Sequence, residues 1–314
     1  MVDNKLKIAS AAPISSSQSM HISVHEYLLA ALANNTKTAY QCDIAHFLQW
    51  GGRIPASPEC VASYLAMNAS HLSIATLSRR MVAIGRAHKL QQHISPTTSE
   101  LVKATLQGIR RTNGSAQRQV LPVLKQDIQA MVTGLRGIKG LRDKALLLTG
   151  FAGAFRRSEL VALKVEDLRF VKEGVIIRLR RSKTDQIGQG RDIAIPFLKK
   201  RLCPAKAIKQ WLLKSGITSG CLFRRISRYG DVMKSGLTAQ SVALIVKARA
   251  LAAGLNAAQL SGHSLRAGLV TSAANAGAST WKIRQQTGHK SDAMLQRYIR
   301  DSQLFIDNPI SKIW

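Results

Sequence analysis

The sequence predicts a mainly α-helical protein of two domains, the second of which also contains a small β-hairpin (α+β). Three observations support this. Apolar residues recur at helical spacing over most of the chain, one segment changes to short β-branched runs around a glycine-containing turn, and a polar stretch without periodicity separates the two parts. At 314 residues the chain is long enough for two domains that each bury a core, because domains average about 150 residues.

The N-terminal domain, residues 21–112, is predicted to be entirely helical. Apolar residues in its first half recur every three or four positions, which is typical of amphipathic helices. Ser57 followed by Pro58 indicates an N-cap with proline at the first helical position. Ser73 and Ser99 are placed to begin two further helices.

Two segments flank this helical domain and are predicted to lack regular structure. Residues 1–20 are rich in Ser and Ala, which is typical of a disordered tail. Residues 113–120 are polar, contain Gly114 and show no periodicity, so they are predicted to form a linker. The second domain then spans residues 121–314 and ends in a tail, about residues 302–314, with several apolar side chains.

The second domain combines helices with one hairpin. Two β-branched runs, Val175–Leu179 and Asp192–Ile195, flank a Gly188-Gln189-Gly190 turn and predict a β-hairpin. Helical spacing predicts helices at about 125–135, 141–150, 158–163, 205–214, 238–253, 263–276 and 279–286.

The charge of the chain is strongly positive. Lys and Arg together number 46 and Asp and Glu 17, which gives a net charge of +29. Such an excess favours binding to polyanions, because it releases their condensed counterions. Charge alone favours nucleic acid and leaves open a ribosomal protein, a membrane-surface protein or a cationic solubilising surface.

Several features bear on compartment and metal content. No apolar run approaches the about 20 residues needed to cross a bilayer, and no secretory signal is evident. We therefore expect an intracellular, cytoplasmic protein, and its charge favours association with DNA of the nucleoid. The cysteines show neither a CxxC pair nor a nearby histidine at zinc spacing, so we expect no metal, no cofactor and four small buried side chains: Cys42, Cys60, Cys203 and Cys221.

Two polar segments of the second domain are candidates for chemistry. In one, Arg156, Arg157 and Glu159 interrupt an apolar helical stretch. The structural alternative is that one arginine pairs with Glu159 and that both arginines lie on a solvated face. In the other, Lys183 follows the first strand of the hairpin. The structural alternative is that Lys183 is an ordinary surface lysine.

Two further candidates lie near the C-terminus. His263 and Arg266 are three residues apart, so on a helix they point to one side near its N-terminus, where free backbone N–H groups favour an anion. His289 follows a glycine in a turn, and Tyr298 lies in the helix after it. Each has a structural alternative, namely a capping pair for the first two residues and a core ring for Tyr298.

Together these side chains are the set needed to attack a phosphodiester without a metal. Guanidinium groups bind the anionic phosphate in a fork and stabilise the charge that develops on its oxygens. A tyrosine hydroxyl, with a pKa of about 10, needs a positioned base to become a nucleophile. A lysine can protonate the departing 5′ oxygen. The sequence shows no cluster of carboxylates suited to Mg²⁺.

The order of these motifs resembles that of the tyrosine recombinase (phage integrase) family of site-specific DNA recombinases. The family pattern is Arg, Lys, His-x-x-Arg, Gly-His and Tyr. The resemblance covers nearly the whole chain, as a helical core-binding domain followed by a catalytic domain. The chain departs from the pattern in having an Arg-Arg doublet in the first motif and Ser-Gly before the first histidine. The matching residues are Arg156, Lys183, His263, Arg266, His289 and Tyr298.

The resemblance implies a role for each matching residue. Tyr298 would attack the scissile phosphate and form a 3′-phosphotyrosine link with a free 5′ hydroxyl. Arg156 and Arg266 would hold the phosphate, and Lys183 would protonate the leaving oxygen. His263 would act as acid and base for the tyrosine. His289, the last of the set, would hydrogen-bond a non-bridging oxygen.

The resemblance also implies partners. These are a double-stranded DNA recombination site, a homotetramer on two paired sites with a dimer on each, a Holliday-junction intermediate and, in some relatives, an accessory directionality factor. The tail at 302–314 would dock on a neighbouring subunit, and neither metal nor ATP would be needed. Candidate DNA contacts are Arg110, Arg111, Arg118, Arg180 and Arg181.

Two alternatives remain at this stage. A type IB topoisomerase shares the tyrosine and the two arginines, but the Gly-His motif and the short helical N-terminal domain argue against it. A DNA-binding protein without catalytic activity would have no chemical reason to keep the complete set. The sequence does not decide between integration, excision and resolution, and it does not identify the DNA site.

Overall fold

The computed structural model describes residues 32–114, 120–182, 185, 188–199, 202–299 and 310–313. The chain forms two compact units, residues 1–118 and 119–314. Some predictions fall outside the described residues: the tail at 1–20, helical structure before residue 32, most of the linker with Arg118, Lys183, and the C-terminal tail apart from 310–313.

The described part of the first unit is helical, as predicted. Ser57, Ser73 and Ser99 each accept a hydrogen bond from the backbone N–H three residues later, so the three predicted N-caps are present. The helices are α1 (Asn34–Gln49), α2 (Pro58–Met67), α3 (Ile74–Leu90) and α4 (Glu100–Asn113), with a 3₁₀ turn at Pro96–Thr98.

The core of the first unit contains a buried polar network as well as apolar side chains. Phe47, Tyr64 and Leu65 are fully buried. Asp43 is also buried and accepts two hydrogen bonds from Arg79, at 2.7 and 2.9 Å. A buried carboxylate is tolerated because it is paired in this way.

The described part of the second unit contains further helices around a small sheet. None of the helices in the described ranges is long and apolar enough to cross a membrane. The helices are α5 (Lys125–Val132), α6 (Gly137–Ala152), α7 (Arg157–Ala162), α8 (Pro204–Ser215), α9 (Ala239–Ala252), α10 (Ser264–Asn275), α11 (Thr280–Thr287), α12 (Asp292–Ile299) and α13 (Ile310–Ile313), with 3₁₀ turns at Val165–Asp167 and Ala257–Gln259.

The predicted hairpin is confirmed, and it belongs to a three-stranded antiparallel sheet. Strands β1 (Leu168–Val171), β2 (Gly174–Leu179) and β3 (Arg191–Pro196) lie in the order β1-β2-β3. A second pair, β4 (Arg224–Ile226) and β5 (Val232–Gly236), was not predicted. These two strands are short and rich in charged and small residues, so they lack the β-branched runs that identify a strand in a sequence.

The core of the second unit surrounds α6. Leu146 and Leu147 are fully buried there, as are Phe155 and Trp211. The indole N–H of Trp211 donates to the carbonyl of Leu222 at 2.8 Å, which satisfies the one polar atom of this ring. Along β3, buried and exposed side chains alternate, so the sheet packs one face against this core.

The first residues of the second unit pack directly on α10. The backbone N–H of Val123 donates to the carbonyl of Ser264 at 3.0 Å. Close approach is possible because position 268 is glycine, where a Cβ atom would lie 1.7 Å from the carbonyl oxygen of Val123. The segment that follows the predicted linker is therefore fixed to α10.

The prediction that all four cysteines are buried is wrong. Cys203 is buried, Cys60 and Cys221 are partly exposed, and Cys42 is exposed. Cys42 faces solvent because α1 buries the side on which Asp43 and Phe47 lie.

Candidate active site

The corner between α6 and α7 supplies one wall of the site. After α6, the N–H groups of Ala154 and Phe155 donate to the carbonyls of Phe151 and Gly150, at 3.1 and 3.2 Å. This is a Schellman motif, in which glycine usually occupies the left-handed position. Here Ala154 occupies it with a φ of +49°. The turn directs the carbonyl of Ala154 toward Arg266, whose Nη1 donates to it at 2.7 Å.

The arginine doublet after this corner points in two directions. Arg156 is the N-cap residue of α7, and its backbone N–H and its Nη1 both donate to the buried carboxylate of Glu159. Burial is the main cause that lowers the pKa values of four other residues of the site, and the positive charge of Arg156 lowers them further. Arg157 is exposed, and its side chain lies across Gly262. Arg156 therefore belongs to the cluster, and the predicted pairing with Glu159 is also present.

The first turn of α10 places the next two residues. His263 is its N-cap residue, and Arg266 follows in the first turn, as the spacing predicted. Arg266 is 1% exposed. Its Nη1 donates to the carbonyls of Ala154 and Thr287, at 2.7 Å each, and its Nη2 lies 3.0 Å from Nε2 of His289.

Arg266 carries a buried charge without a carboxylate partner. Among the described residues its hydrogen-bond partners are two carbonyls and an imidazole, and no ion pair includes it. Burial, and then the charge of Arg156, lower its pKa to about 10. The guanidinium is still charged at neutral pH, because that value lies well above 7. Glu159, which pairs directly with Arg156, acts on Arg266 only through space. A guanidinium that is held in place by hydrogen bonds and has no direct ion pair is suited to bind an anion.

His289 lies in the turn after α11. Gly288 has a φ of +70°, and this left-handed residue ends the helix and turns the chain. His289 is 6% exposed, and its Nδ1 lies 2.7 Å from the hydroxyl of Thr287. Burial, and then the charge of Arg266, lower its pKa to about 3. The ring is therefore neutral at physiological pH.

Tyr298 is both a packed ring and a hydrogen-bonded hydroxyl. Its ring is partly buried against a small apolar cluster that includes Val270 and Leu295. Its hydroxyl lies 2.8 Å from Nε2 of His263. Burial, and then the charge of Arg266, lower the pKa of His263, so this imidazole is neutral and able to accept a proton.

Sequence reasoning missed Arg191, the first residue of β3. Its Nη1 donates to the carbonyl of Gln286 at 2.7 Å and its Nη2 to that of Thr287 at 3.2 Å. It thereby satisfies the free carbonyls at the end of α11 and holds the turn that carries His289. No local signal could have revealed it, because its partners are 95 and 96 residues away.

The remaining predicted residues differ in how far the structure describes them. Lys183 and Arg118 lie outside the described residues. Arg110 and Arg111 are exposed and border a cleft of about 320 Å³ beside α4. Arg180 pairs with Asp167 at 2.6 Å and stays 61% exposed, and Arg181 is exposed.

The assembled cluster has the chemistry of an anion site with a nucleophile. It combines two arginines, two neutral histidines and a tyrosine hydroxyl that contacts one of the histidines. No group of three or more metal-ligating side chains occurs in the described ranges. The cluster can therefore hold an oxyanion and activate a hydroxyl next to it.

Comparison with known proteins agrees with this chemistry. The model of the Phage integrase family matches residues 123–304. An integrase/recombinase XerD homologue from Selenomonas ruminantium is 38% identical over 323 aligned positions, which cover 99% of this chain and 94% of the relative. The recombinase Cre of Escherichia phage P1 is 25% identical, over 79% of this chain and 77% of its own.

Solved structures show the same fold. A lambda integrase dimer bound to a COC′ core site superposes with a TM-score of 0.61 at 17% identity, over 91% of this chain and 77% of the other. XerH recombinase bound to a palindromic difH substrate superposes with a TM-score of 0.60 at 18% identity, over 79% and 70%. The chain belongs to the phage integrase family, and it is a tyrosine-type site-specific DNA recombinase.

Proposed function

We propose that Tyr298 is the nucleophile that cleaves the DNA strand. The observation that carries this proposal is the 2.8 Å contact between its hydroxyl and Nε2 of His263, beside the guanidinium of Arg266, which donates to carbonyls and has no ion pair among the described residues. In the proposed step the Tyr298 oxygen bonds to the scissile phosphorus and the bond to the 5′ oxygen breaks. The product is a 3′-phosphotyrosine and a free 5′ hydroxyl, and the reverse step rejoins a strand.

His263 takes the proton from the tyrosine. Its neutral imidazole has a lone pair on one nitrogen, and the lowered pKa keeps that lone pair free at neutral pH. The proton returns to the tyrosine oxygen when the strand is rejoined. Geometry supports this assignment, because a general base has to lie within hydrogen-bond reach of the proton that it removes.

Arg156 and Arg266 hold the phosphate and stabilise its transition state. Both guanidinium groups are fixed before the substrate arrives, one by Glu159 and the other by two carbonyls. Preorganised donors of this kind stabilise developing charge without a reorganisation cost. His289 donates a further hydrogen bond to a non-bridging oxygen.

Lys183 is proposed as the acid that protonates the leaving 5′ oxygen. The support is the position of Lys183 in the family pattern, between β2 and β3. Strand β3 begins at Arg191, which holds the turn that carries His289. Lys183→Ala is expected to slow cleavage by about 10²- to 10⁴-fold while DNA binding is kept. A substrate with a 5′-sulfur leaving group needs no proton and should restore the rate, and failure of that rescue would remove Lys183 from this role.

DNA is the partner of this enzyme, and we propose how the chain engages it. Residues 21–112 would form the core-binding domain, 113–120 the linker and 121–314 the catalytic domain. The exposed arginines and the net charge of +29 support contacts with the phosphate backbone. The proposed contacts are Arg110, Arg111, Arg118, Arg180 and Arg181.

The active assembly is proposed to be a homotetramer on two paired sites, with a dimer on each and a Holliday junction as the intermediate. A related lambda integrase was solved as a dimer on its core site, which supports one dimer per site. The tail at 302–314 would dock on a neighbouring subunit, and an accessory factor would set direction where one is needed. Deleting residues 303–314 is expected to impair synapsis and to leave half-site binding intact.

A nicked suicide substrate tests the central step. Tyr298→Phe should bind the DNA and form no covalent adduct, because only the hydroxyl is removed. Tyr64→Phe is the matched control, since Tyr64 is a buried tyrosine of the first unit that also contacts a histidine. That control should form adduct at the wild-type rate per folded molecule. Adduct formation by Tyr298→Phe would place the nucleophile elsewhere.

A further inference from the structure

Thr287 connects two residues of the active site through two different groups. It is fully buried at the end of α11. Its backbone carbonyl accepts a hydrogen bond from Nη1 of Arg266 at 2.7 Å. Its hydroxyl lies 2.7 Å from the carbonyl of Ile283 and 2.7 Å from Nδ1 of His289. The side chain of Thr287 therefore contacts the imidazole at the nitrogen that faces away from Arg266.

These contacts determine which nitrogen of His289 carries the proton. The carbonyl of Ile283 can only accept, so the one hydroxyl hydrogen of Thr287 points to it. The hydroxyl oxygen then accepts from His289, which places a hydrogen on Nδ1. At the other nitrogen Arg266 can only donate, so Nε2 is an acceptor. The contacts with Thr287 and Arg266 both indicate a neutral ring with its proton on Nδ1.

This resting arrangement conflicts with the role proposed for His289 during cleavage. To bond a non-bridging phosphate oxygen, Nε2 has to donate, and in the resting tautomer it carries a lone pair. A doubly protonated ring would donate from both nitrogens. Burial and the neighbouring arginines oppose that charged form and lower the pKa of His289 to about 3. A neutral ring can donate from Nε2 only if the proton leaves Nδ1.

We propose that Thr287 is a positioning residue whose hydroxyl allows His289 to change tautomer when the scissile phosphate binds. In the resting site the hydroxyl donates to Ile283 and accepts from Nδ1. In the occupied site a phosphate oxygen replaces Nε2 as the acceptor of the Nη2–H of Arg266, the hydroxyl of Thr287 rotates and donates to Nδ1, and Nε2–H donates to the phosphate. One proton leaves Nδ1 and one is gained at Nε2 by exchange with solvent water, so the net charge is unchanged. The proposal rests on the proposed function of His289.

A hydroxyl is required at position 287 because it has to accept in one state and donate in the other. Serine keeps this ability and loses one methyl group. Valine keeps the shape of threonine and replaces the hydroxyl with a methyl group, so it can neither accept from Nδ1 nor donate to it. Comparing Thr287→Ser with Thr287→Val therefore separates the hydrogen bond from the packing.

The first measurement is the tautomer of His289 by nitrogen-15 NMR of the full chain without DNA. Wild type and Thr287→Ser are expected to show the proton on Nδ1. Thr287→Val removes the acceptor of Nδ1–H and leaves only the Arg266 contact to favour this tautomer, so part of the population is expected to show Nε2–H. A wild-type spectrum dominated by Nε2–H would overturn the proposal even if the valine variant does not fold.

The second measurement is single-turnover adduct formation on a nicked suicide substrate. Thr287→Val is expected to cleave about 10- to 100-fold more slowly, the effect of losing one buried hydrogen bond. Its DNA affinity is expected to be unchanged, and Thr287→Ser is expected to cleave close to the wild-type rate. Wild-type cleavage by the valine variant would overturn the proposal, as would an equal loss in a folded serine variant. Absence of any adduct with wild type would instead overturn the proposed function, while the NMR result would stand.

Discussion

Each unit of this chain contains a tyrosine that contacts a histidine, and the two pairs differ in their surroundings. The hydroxyl of Tyr64 lies 3.0 Å from Nδ1 of His46, and that of Tyr298 lies 2.8 Å from Nε2 of His263. In the first pair, Arg80 donates to both the hydroxyl and the imidazole, at 2.9 and 2.7 Å. The imidazole of that pair therefore has its lone pair occupied by an arginine.

The charge balance around the two pairs differs as well. Near the first pair, Asp43 faces two arginines, Arg79 at 2.7 Å and Arg80 at 3.5 Å. Near the second pair, Arg266 is held by carbonyls and a neutral imidazole. A tyrosine–histidine contact is thus compatible with a structural role, as in the first unit, and with the catalytic role proposed for the second. Among the described residues, the lack of a direct ion pair to Arg266 distinguishes a site suited to an anion from a network that stabilises a fold.

Within this comparison the largest effect is expected at Arg266. Arg266→Lys keeps the charge and loses the forked donor, so cleavage is expected to fall by about 10²- to 10³-fold. Single-turnover adduct formation measures it. Arg80→Lys is the matched change in the first unit and should lower stability without slowing cleavage. Equal loss of cleavage in both variants would contradict the view that Arg266 acts in cleavage and Arg80 only in stability.

A second prediction concerns the carboxylate of the first unit. Asp43→Asn removes the charge that pairs with Arg79 and Arg80, and the unfolding free energy is expected to fall by about 2–3 kcal/mol, since half-exposed Arg79 can be hydrated in its place. Hydrogen exchange of the α1 amides measures this loss. Adduct yield per folded molecule should not change, and a selective loss of cleavage chemistry would assign the network a catalytic role.

A third prediction uses the lowered pKa of His289. The pKa falls from 6.5 to about 3 on folding, so between these values the unfolded chain binds a proton that the folded chain does not. The stability from this group is complete above pH 6.5 and decreases as the pH falls, by about 2 kcal/mol at pH 5. Urea unfolding at pH 7 and pH 5 should therefore show a smaller loss for His289→Gln than for wild type. An equal loss in the two proteins would count against the neutral, buried ring.

The smallest expected effect compares two left-handed residues. Ala154, beside the active site, has a φ of +49°, and Gln92, in the first unit, has a φ of +60°. Replacing exposed Gln92 by glycine should raise stability by about 0.5–1 kcal/mol, because glycine adopts this conformation without strain. Ala154 is fully buried, so Ala154→Gly also loses about 0.8 kcal/mol of methyl burial, and its stability should change less. Thermal unfolding measures both. Only Ala154→Gly changes the turn whose carbonyl holds Arg266, so a change in cleavage is expected for that variant and not for Gln92→Gly.

Much of the fold was predictable from local signals. Ser57, Ser73 and Ser99 cap helices because a short polar side chain can satisfy the free N–H groups of the first turn. The β2–β3 hairpin followed from its β-branched runs. Strands β4 and β5 were missed because they are short and lack those runs.

The residues that form the site were more predictable than the hydrogen bonds that hold them in place. The order of the motifs pointed to Arg266, His289 and Tyr298, and the structure brings these residues together. The contacts of Arg191 and Thr287 could not be foreseen, because one depends on the packing of a strand against a distant helix end and the other on the orientation of a hydroxyl. Neither property has a signature in residue spacing.

The attachment of Val123 to α10 has a mechanical consequence. The chain enters the second unit through two backbone hydrogen bonds, from the N–H of Leu121 to the carbonyl of Gln259 and from the N–H of Val123 to that of Ser264. Tension applied along the preceding segment would therefore load the 3₁₀ turn at Ala257–Gln259 and then the first turn of α10, which carries Arg266. The entry point of the chain is thus mechanically linked to the reaction centre.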